Sequence, residues 1–229
     1  MTGPAATGQG TRPAEVAEAA RIISTAGLVE AFGHVSARTP GGFMITTTLP
    51  LGAAGEADVH ELGADGAPAA GAGESVAGLP LEAPMHAAIY AARPDVSAIC
   101  RTHSPAAVRA GARGSVPPLL HGLGGLAGEI ALCDRTDLVT DLEAARAVAD
   151  ALGGADCLLI RANGSVATGA TLAGAVVRAR YLEERCVVGE GADPDSGLDP
   201  VELSSRSKWF EKESARAWAW MRWRYAGET

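Results

Sequence analysis

Apolar residues recur at helical spacing in several stretches of the chain, beginning with Pro13 to Gly27, which ends at a glycine typical of helix termini. The same spacing predicts helices over residues 81–92, 105–112, 142–152, 172–188 and 207–225. Short apolar runs bounded by turn residues predict strands over residues 33–38, 43–47, 96–100, 130–133, 157–160 and 164–169. Between residues 50 and 78 a sequence rich in Gly and Ala has little periodicity, so no element is assigned there.

The order of these elements indicates the fold class. Helices and strands alternate irregularly, without consecutive strand–helix–strand repeats, which favours an α/β fold around a mixed central sheet. Residues 1–12 are mostly Gly, Thr, Ala and Pro and are expected to form a disordered N-terminal segment. Residues 13–229 are expected to form a single domain, ending in a helix that carries all four tryptophans.

Composition and charge narrow the classes of partner. The chain has 229 residues, of which 47% are hydrophobic and 4% aromatic, so a large core must be built from aliphatic side chains. A formal net charge of -8 argues against nucleic acids and anionic membranes as partners. The four cysteines form no CxxC pair and are expected to be buried free thiols. The sequence contains no apolar run of membrane-spanning length and no signal-peptide pattern, so a cytoplasmic location is expected.

The candidate chemistry centres on three residues. His103 follows a predicted buried strand, at the point where the chain leaves the sheet. Glu82 and His86 lie four residues apart on the preceding predicted helix, so both side chains project from one helix face. A carboxylate and two imidazoles in this arrangement are able to converge on one ion or one substrate. The simpler interpretation of Glu82 and His86 is an exposed i, i+4 pair.

Several motifs occur in a fixed order along most of the chain. They are Gly33–Arg38, Phe43–Thr46, Leu81–His86, Arg93–Pro105, Leu159–Gly164 and Leu172–Glu184. Together they resemble the corresponding motifs of the class II aldolase/adducin superfamily over residues ~14–188. The resemblance implies a three-layer class II aldolase-like fold, with a mixed, mainly antiparallel central β-sheet flanked by helices.

The resemblance also implies a metal site, which this sequence alters. In the aldolases of the superfamily, two histidines of a His-x-His strand and one histidine of an Asn-His-Gly turn hold zinc, beside a glutamate that acts as acid and base. Of these four positions, this chain keeps the glutamate as Glu82 and one strand histidine as His103. The other two positions are occupied by Arg101 and Asn163. Arginine stays protonated in proteins and repels a divalent cation placed beside it.

Two hypotheses follow for the altered site. In the first, a divalent metal, zinc or else manganese or iron, is retained by a relocated ligand set consisting of His103, His121, His86 and Glu82. In the second, the site binds no metal and Arg101 stabilises an anionic substrate or intermediate through its planar guanidinium. Arg101 is equally well explained as one half of a structural salt bridge to Glu82.

The expected reaction is carbon–carbon bond cleavage. The sequence is similar to a branch of the superfamily that includes decarboxylases of dihydroxylated aromatic acids, and Arg101 favours a carboxylate substrate. In the members of the superfamily that use phosphorylated substrates, an asparagine at the position of His34 and a Ser-Ser signature before the glutamate hold the phosphate. This chain has neither the asparagine nor the Ser-Ser signature, so the resemblance implies an unphosphorylated substrate. The candidate catalytic residues are Glu82, Arg101 and His86. The candidate substrate-binding residues are His34, Ser36, Arg101, Asn163 and Tyr225.

Two other functions stay open on the sequence alone. One is a non-catalytic, adducin-like interaction domain, and the other is an epimerase or isomerase that uses the same retro-aldol chemistry. The resemblance implies a homotetramer in which C-terminal residues of one subunit, Tyr225 among them, reach a neighbouring active site. The tryptophans of the last helix are expected to pack in the core or at a subunit contact.

Overall fold

The computed structural model describes residues 11–68 and 78–227. The helices are α1 (Pro13–Thr25), α2 (Ala83–Ala92), α3 (Pro105–Arg113), α4 (Leu142–Leu152), α5 (Leu172–Val188), α6 (Pro200–Ser207) and α7 (Phe210–Met221). The strands are β1 (His34–Thr39), β2 (Gly42–Thr46), β3 (Val59–Gly63), β4 (Ala98–Thr102), β5 (Ile130–Cys133), β6 (Cys157–Ile160) and β7 (Ser165–Gly169). Residues 1–10 of the expected disordered segment lie outside the described residues.

The strands form one seven-stranded sheet in the order β3-β2-β1-β4-β7-β6-β5. Neighbouring strands are antiparallel except β5 and β6, which are parallel. Helices α1, α3, α5 and α7 pack on one face and helices α2 and α4 on the other. The predicted three-layer α/β fold with a mixed, mainly antiparallel sheet is therefore confirmed.

Successive side chains of β4 point to opposite faces of the sheet, so this strand contributes residues to the cores on both faces. Ala98 and Cys100 belong to the core against α1, α3 and α5, whereas Ile99 belongs to the core against α2 and α4. Arg101 follows the same alternation and therefore faces the α2 layer. A cation thus enters a buried, largely apolar layer, and it needs compensating partners there.

The structure differs from the predicted elements in two places. Residues 50–78, to which no element was assigned, contain β3, which pairs with β2 through main-chain hydrogen bonds that need no periodic side-chain pattern. The predicted helix over 207–225 is divided into α6, α7 and a π-turn at Arg222–Ala226. α6 begins earlier than predicted because Asp199 caps its first turn and Pro200 occupies the first helical position.

All four cysteines are buried free thiols, as predicted. Burial raises the pKa of Cys100 to about 12, so the thiol is not a nucleophile at neutral pH. Among the described residues, no helix is both long and apolar enough to cross a bilayer.

Candidate functional site

The candidate site lies at one edge of the sheet, where β1 begins, β4 ends, β7 begins and α2 starts. Residue His34 of β1 is paired with Arg101 of β4, and Thr102 of β4 is paired with Ser165 of β7. Glu82 precedes the first residue of α2 and is 5% exposed. These four elements therefore bring together side chains that are far apart in the sequence.

Arg101 is fully buried, and its guanidinium is saturated with hydrogen bonds. Nε donates to Glu82 Oε2 at 3.0 Å, and Nη2 donates to Glu82 Oε1 at 3.4 Å and to Asn163 Oδ1 at 3.1 Å. Nη1 donates to the carbonyl oxygens of Thr102 at 3.0 Å and Ser165 at 3.4 Å. A guanidinium has five N–H donors, so every donor of Arg101 is used within the protein.

The positive charge of Arg101 neutralises the buried carboxylate of Glu82. Both carboxylate oxygens accept from the guanidinium, and Oε2 also lies 3.9 Å from His34 Nε2. Glu82 and His86 are both buried rather than an exposed helix pair. The structure forms the Arg101–Glu82 salt bridge, which was one of the two explanations offered for Arg101.

A chain of hydrogen bonds runs from this ion pair into the layer beneath α2. His34 Nδ1 lies 3.2 Å from His86 Nε2, and His86 Nδ1 lies 2.7 Å from Ser36 Oγ. Ser36 Oγ lies 2.8 Å from the hydroxyl of Tyr90. We call these residues and the ion pair the inner cluster, which comprises His34, Ser36, Glu82, His86, Tyr90 and Arg101.

The histidines of the inner cluster are uncharged at neutral pH. Burial lowers the pKa of His86 to about 3, and the positive charge of Arg101 adds to the effect. Burial, together with the nearby His86 and Arg101, also holds the pKa of His34 well below its usual value. Neutral imidazoles can both donate and accept, which the chain of hydrogen bonds requires.

His103 lies at the outer boundary of this cluster and is only partly buried. Its Nδ1 is 3.3 Å from the carbonyl oxygen of Phe32, which requires Nδ1–H to donate. Burial lowers the pKa of His103, as does Arg101, while Glu82 and hydrogen bonds to Phe32 and Asn163 act in the opposite direction. Phe32 is 75% exposed. We call His103, Asn163 and Phe32 the rim, because these residues border solvent.

Gly164 allows the rim and the inner cluster to meet. The glycine has a φ of +77° in the turn before β7. A Cβ atom at this position would lie 2.7 Å from Arg101 Nη1 and 2.9 Å from His103 Cδ2. Any larger residue would therefore clash with both side chains and with the carbonyl oxygen of Thr102.

His121 and Tyr225 are not brought to this edge. The Nε2 atom of His121 is 4.0 Å from Glu184 on α5 and has no hydrogen-bond partner among the described residues. Tyr225 lies in the π-turn after α7 and stacks edge-on against Trp220 with ring centroids 5.5 Å apart. Within 11–68 and 78–227, no hydrogen bond, ion pair or ring contact joins either residue to the inner cluster or the rim.

The side chains at this edge do not fit a divalent metal. In the described part of the chain, no group of three or more His, Cys, Asp or Glu side chains is arranged to hold an ion. The relocated set that includes His121 is therefore not assembled, because His121 faces α5 rather than the sheet edge. The carboxylate of Glu82 is engaged by Arg101, and the guanidinium itself repels a second cation.

Tyr90 is a member of the inner cluster that was not predicted from the sequence, although a signal for it was present. Tyr90 follows Glu82 and His86 at successive spacings of four residues, so the three share one helix face. Thr102 and Ser165 were also missed, and their hydroxyl oxygens lie 2.8 Å apart across β4 and β7. Their pairing depends on strand register, which the sequence alone does not define.

A large cavity of ≈ 1030 Å³ lies away from this edge. Its lining includes Leu119, Arg178, Leu203 and Phe210, from the loop before residue 130 and from α5, α6 and α7. The lining contains no histidine and no residue of the inner cluster. Size alone therefore does not make it the catalytic site, and the sheet edge is the better candidate on its chemistry.

Comparison with known proteins identifies the fold family. The overall structure superposes on an aldolase II superfamily protein from Pseudomonas syringae with a TM-score of 0.75 and 19% identity, covering 93% of this chain and 91% of that one. L-fuculose 1-phosphate aldolase from Glaciozyma antarctica PI12 gives a TM-score of 0.72 at 21% identity, with 94% and 90% covered. YgbL from Escherichia coli, provisionally assigned as an aldolase, epimerase or decarboxylase, gives 0.73 at 20% identity, with 85% and 96% covered.

At these low sequence identities, the superpositions show that the folds are alike and no more. The family is shown by the match of the sequence to a family model. The comparison with curated proteins gave no significant match. The family model described as Class II Aldolase and Adducin N-terminal domain matches residues 14–188, which is well over half of the chain. The chain therefore belongs to the class II aldolase/adducin family.

Proposed function

We propose that the chain is a carbon–carbon lyase, of the decarboxylase or aldolase type, that acts on a small unphosphorylated carboxylic acid. The observation that carries the proposal is the position of His103, a partly exposed imidazole beside a buried Arg101–Glu82 ion pair. Catalytic groups in such enzymes need access to substrate and a pKa suited to proton transfer near neutral pH. His103 is accessible, and burial and Arg101 lower its pKa, which favours the neutral imidazole that accepts a proton as a general base.

The chemistry that His103 would supply is a proton transfer in each direction. In aldol cleavage, the imidazole takes the proton of the substrate hydroxyl, the carbon–carbon bond breaks, and its electron pair passes into the adjacent carbonyl to form an enolate. The imidazolium then returns the proton to the carbon. In decarboxylation, the imidazole first takes a proton from solvent, carbon dioxide leaves, the electron pair of the broken bond is delocalised into an adjacent carbonyl oxygen, and the imidazolium then gives its proton to the carbon.

The proposed roles of the other predicted site residues differ in their access to substrate. Asn163 is partly exposed at the rim and suits hydrogen bonding to an anionic oxygen. Arg101 can meet a substrate carboxylate only if its Nη2 exchanges Asn163 for the substrate, because its remaining donors face Glu82 and the main chain.

The remaining predicted site residues are proposed to act behind the substrate. His34, Ser36 and His86 form hydrogen bonds among themselves within the inner cluster. Their burial, 8% exposed for His34 and 0% for the other two, suits them to position Glu82 rather than to contact substrate. No step of the proposed reaction uses a metal ion, since the donor set does not fit one.

The test is turnover of a panel of hydroxylated aliphatic and aromatic carboxylic acids by the purified protein. Release of carbon dioxide identifies a decarboxylase, and release of an aldehyde or ketone identifies an aldolase. We expect His103→Asn to lower kcat/KM by ~100-fold or more, because a general base contributes about that factor. His121→Asn is the matched control and should keep full activity, since His121 contacts Glu184 instead. Equal activity of His103→Asn and the wild type would reject the proposed role of His103.

A non-catalytic, adducin-like interaction domain is the second candidate. It is favoured by the saturation of Arg101, since the cation and Glu82 neutralise each other without any ligand. Failure of the whole panel to react, together with binding of a protein partner, would favour this candidate. Conversion of a substrate to its stereoisomer or structural isomer without cleavage would instead identify an epimerase or isomerase.

The expected homotetramer belongs to the same proposal. Trp209, Trp220 and Trp223 are 48%, 45% and 61% exposed, which is unusual for tryptophan and suits a subunit contact. Light scattering after size-exclusion chromatography measures the number of subunits directly. A monomer at micromolar concentration would reject the tetramer and the proposed contribution of Tyr225 to a neighbouring site.

A further inference from the structure

We infer that the Arg101 guanidinium is a built-in cation that holds this site together in place of a divalent metal ion. The side chains of Glu82 and Asn163 accept hydrogen bonds from the guanidinium, and the ring of His103 lies near it across Gly164. Glu82 Oε2 and Asn163 Oδ1 accept from it at 3.0 and 3.1 Å, and Gly164 brings the ring of His103 alongside. Positions 82, 101, 103 and 163 therefore converge on one point.

The guanidinium performs the structural tasks of a bound cation. It neutralises the buried carboxylate of Glu82, and it fixes the side chain of Asn163 through a hydrogen bond. It also ties two strands together, because Nη1 donates to the main chain of both β4 and β7. A covalently attached cation is not lost to chelators or to dilution, so the assembled site should be independent of metal supply.

The same geometry excludes a second cation from this point. Both oxygens of Glu82 already accept hydrogen bonds from Arg101, so no carboxylate is free as a ligand. A divalent ion beside His103 would also face the guanidinium at short range in a poorly solvated site, where repulsion is strong. A divalent ion is therefore excluded both by the positive charge of Arg101 and by the lack of a free Glu82 oxygen as a ligand.

Two substitutions should convert the site into a metal site. Histidine at positions 101 and 163 would place imidazoles beside His103 and release the Glu82 carboxylate, which gives three nitrogen ligands and one oxygen ligand. The experiment titrates zinc chloride into chelator-treated protein by isothermal calorimetry, for the wild type, Arg101→His, Asn163→His and the double variant. Zinc binding is measured without substrate, so the result does not depend on lyase activity.

We expect the wild type to bind no zinc at this site and the double variant to bind one zinc per chain. Its affinity should exceed that of either single variant by ~100-fold or more, since each lost ligand weakens a metal site strongly. Adding His121→Ala to the double variant is the control and should leave zinc binding unchanged. A folded double variant that binds no zinc would overturn the inference.

If the double variant does not fold, a second measurement on the wild type tests whether Arg101 takes the place of a metal ion. The melting temperature of the wild type should be the same in zinc chloride and in chelator. Stoichiometric zinc binding by the wild type that is lost in His103→Asn would overturn the inference, because the built-in cation would then coexist with a metal. An unchanged melting temperature in both solutions would uphold it.

Discussion

Arg101 and His103 stand two residues apart at the end of β4, yet their surroundings are opposite. Arg101 is fully buried and uses all five N–H donors on protein acceptors. His103 is partly exposed and makes a long hydrogen bond of 3.3 Å to the carbonyl of Phe32. The strand ends at Thr102, so the ladder fixes the position of Arg101 but not that of His103.

This contrast separates two tasks within one small region. The inner cluster compensates its own charges and hydrogen bonds, and it therefore gives the sheet edge a fixed geometry. The rim keeps polar atoms near solvent, where a substrate can reach them. We therefore expect substitutions in the inner cluster to act mainly on stability and substitutions in the rim to act mainly on turnover.

Breaking the buried ion pair should have the largest effect on stability. Arg101→Met leaves the Glu82 carboxylate buried without its cation, and loss of one partner of such a pair costs about 3–5 kcal/mol. Urea denaturation monitored by tryptophan fluorescence measures the free energy of unfolding. His103→Asn is the control, two residues further along the chain, and should cost less than about 1 kcal/mol, because His103 is partly exposed.

The double variant Glu82→Leu with Arg101→Met sharpens this prediction. Removing both charges eliminates the unpaired carboxylate, so much of the lost stability should return. The exposed pair between Arg109 and Glu190 offers a second comparison, where Arg109→Met should cost no more than about 1 kcal/mol. Equal costs for Arg101→Met and Arg109→Met would contradict the division between inner cluster and surface.

Acid should destabilise the protein through His86. Burial lowers the pKa of His86 in the folded protein to about 3, whereas the unfolded chain has an ordinary histidine pKa near 6.5. Between these two values the unfolded chain binds the proton and the folded protein does not, so the free energy of unfolding falls as pH decreases from 6.5 toward 3. Above pH 6.5 both states are neutral and this contribution is constant. The full loss amounts to a few kcal/mol.

The measurement is urea denaturation of the wild type and His86→Gln at several pH values from 7 to 5. The slope of stability against pH should be smaller in His86→Gln, because glutamine does not titrate. Asp and Glu side chains affect both proteins alike and mostly below this interval. Identical slopes for the two proteins would mean that His86 is not held neutral by its burial.

The sequence predicted the convergence of its motifs more reliably than the state of each side chain, although the strand predicted over residues 96–100 ends at Thr102. The run before His103 has an apolar character and a definite end, so the position of the site at the sheet edge was predictable. The pairing of Arg101 with Glu82 was foreseen as one of several possibilities, because a buried cation requires an anion. The Nη1 donors of Arg101 bind carbonyl oxygens of β4 and β7. The position of main-chain carbonyl groups cannot be predicted from the identity of the side chains.

The proposed role of His121 illustrates the opposite case. His121 was included in the relocated ligand set, but the 3₁₀ turn that follows it packs against α5 and places His121 near Glu184. Loop paths depend on tertiary packing rather than on local pattern. The same reason explains why β3 was missed, since its hydrogen bonds to β2 are contributed by the main chain.

The hydrogen bonds of the inner cluster point in a single direction. Ser36 is the hydrogen-bond partner found for the phenol of Tyr90 among the described residues, so the phenol donates to Ser36 and Ser36 donates to His86. His86 must then donate from Nε2 to His34, which leaves the Nε2–H of His34 facing the Glu82 carboxylate at 3.9 Å. With the opposite orientation, the Tyr90 proton would have no acceptor. Both imidazoles are therefore expected to carry their proton on Nε2.

Removing the Tyr90 hydroxyl, the first donor in this series of hydrogen bonds, should change stability less than breaking the ion pair or protonating His86. Tyr90→Phe deletes one hydrogen bond to Ser36 and leaves the ring packing intact, which costs about 1 kcal/mol in the free energy of unfolding. Tyr181→Phe is the control and should change stability by less than about 0.5 kcal/mol, because that ring is only partly buried. The ¹⁵N chemical shifts of His34 and His86 report the tautomers directly. Protonation of both rings on Nδ1 would reverse the proposed direction, and the role of Tyr90 as first donor would then be wrong.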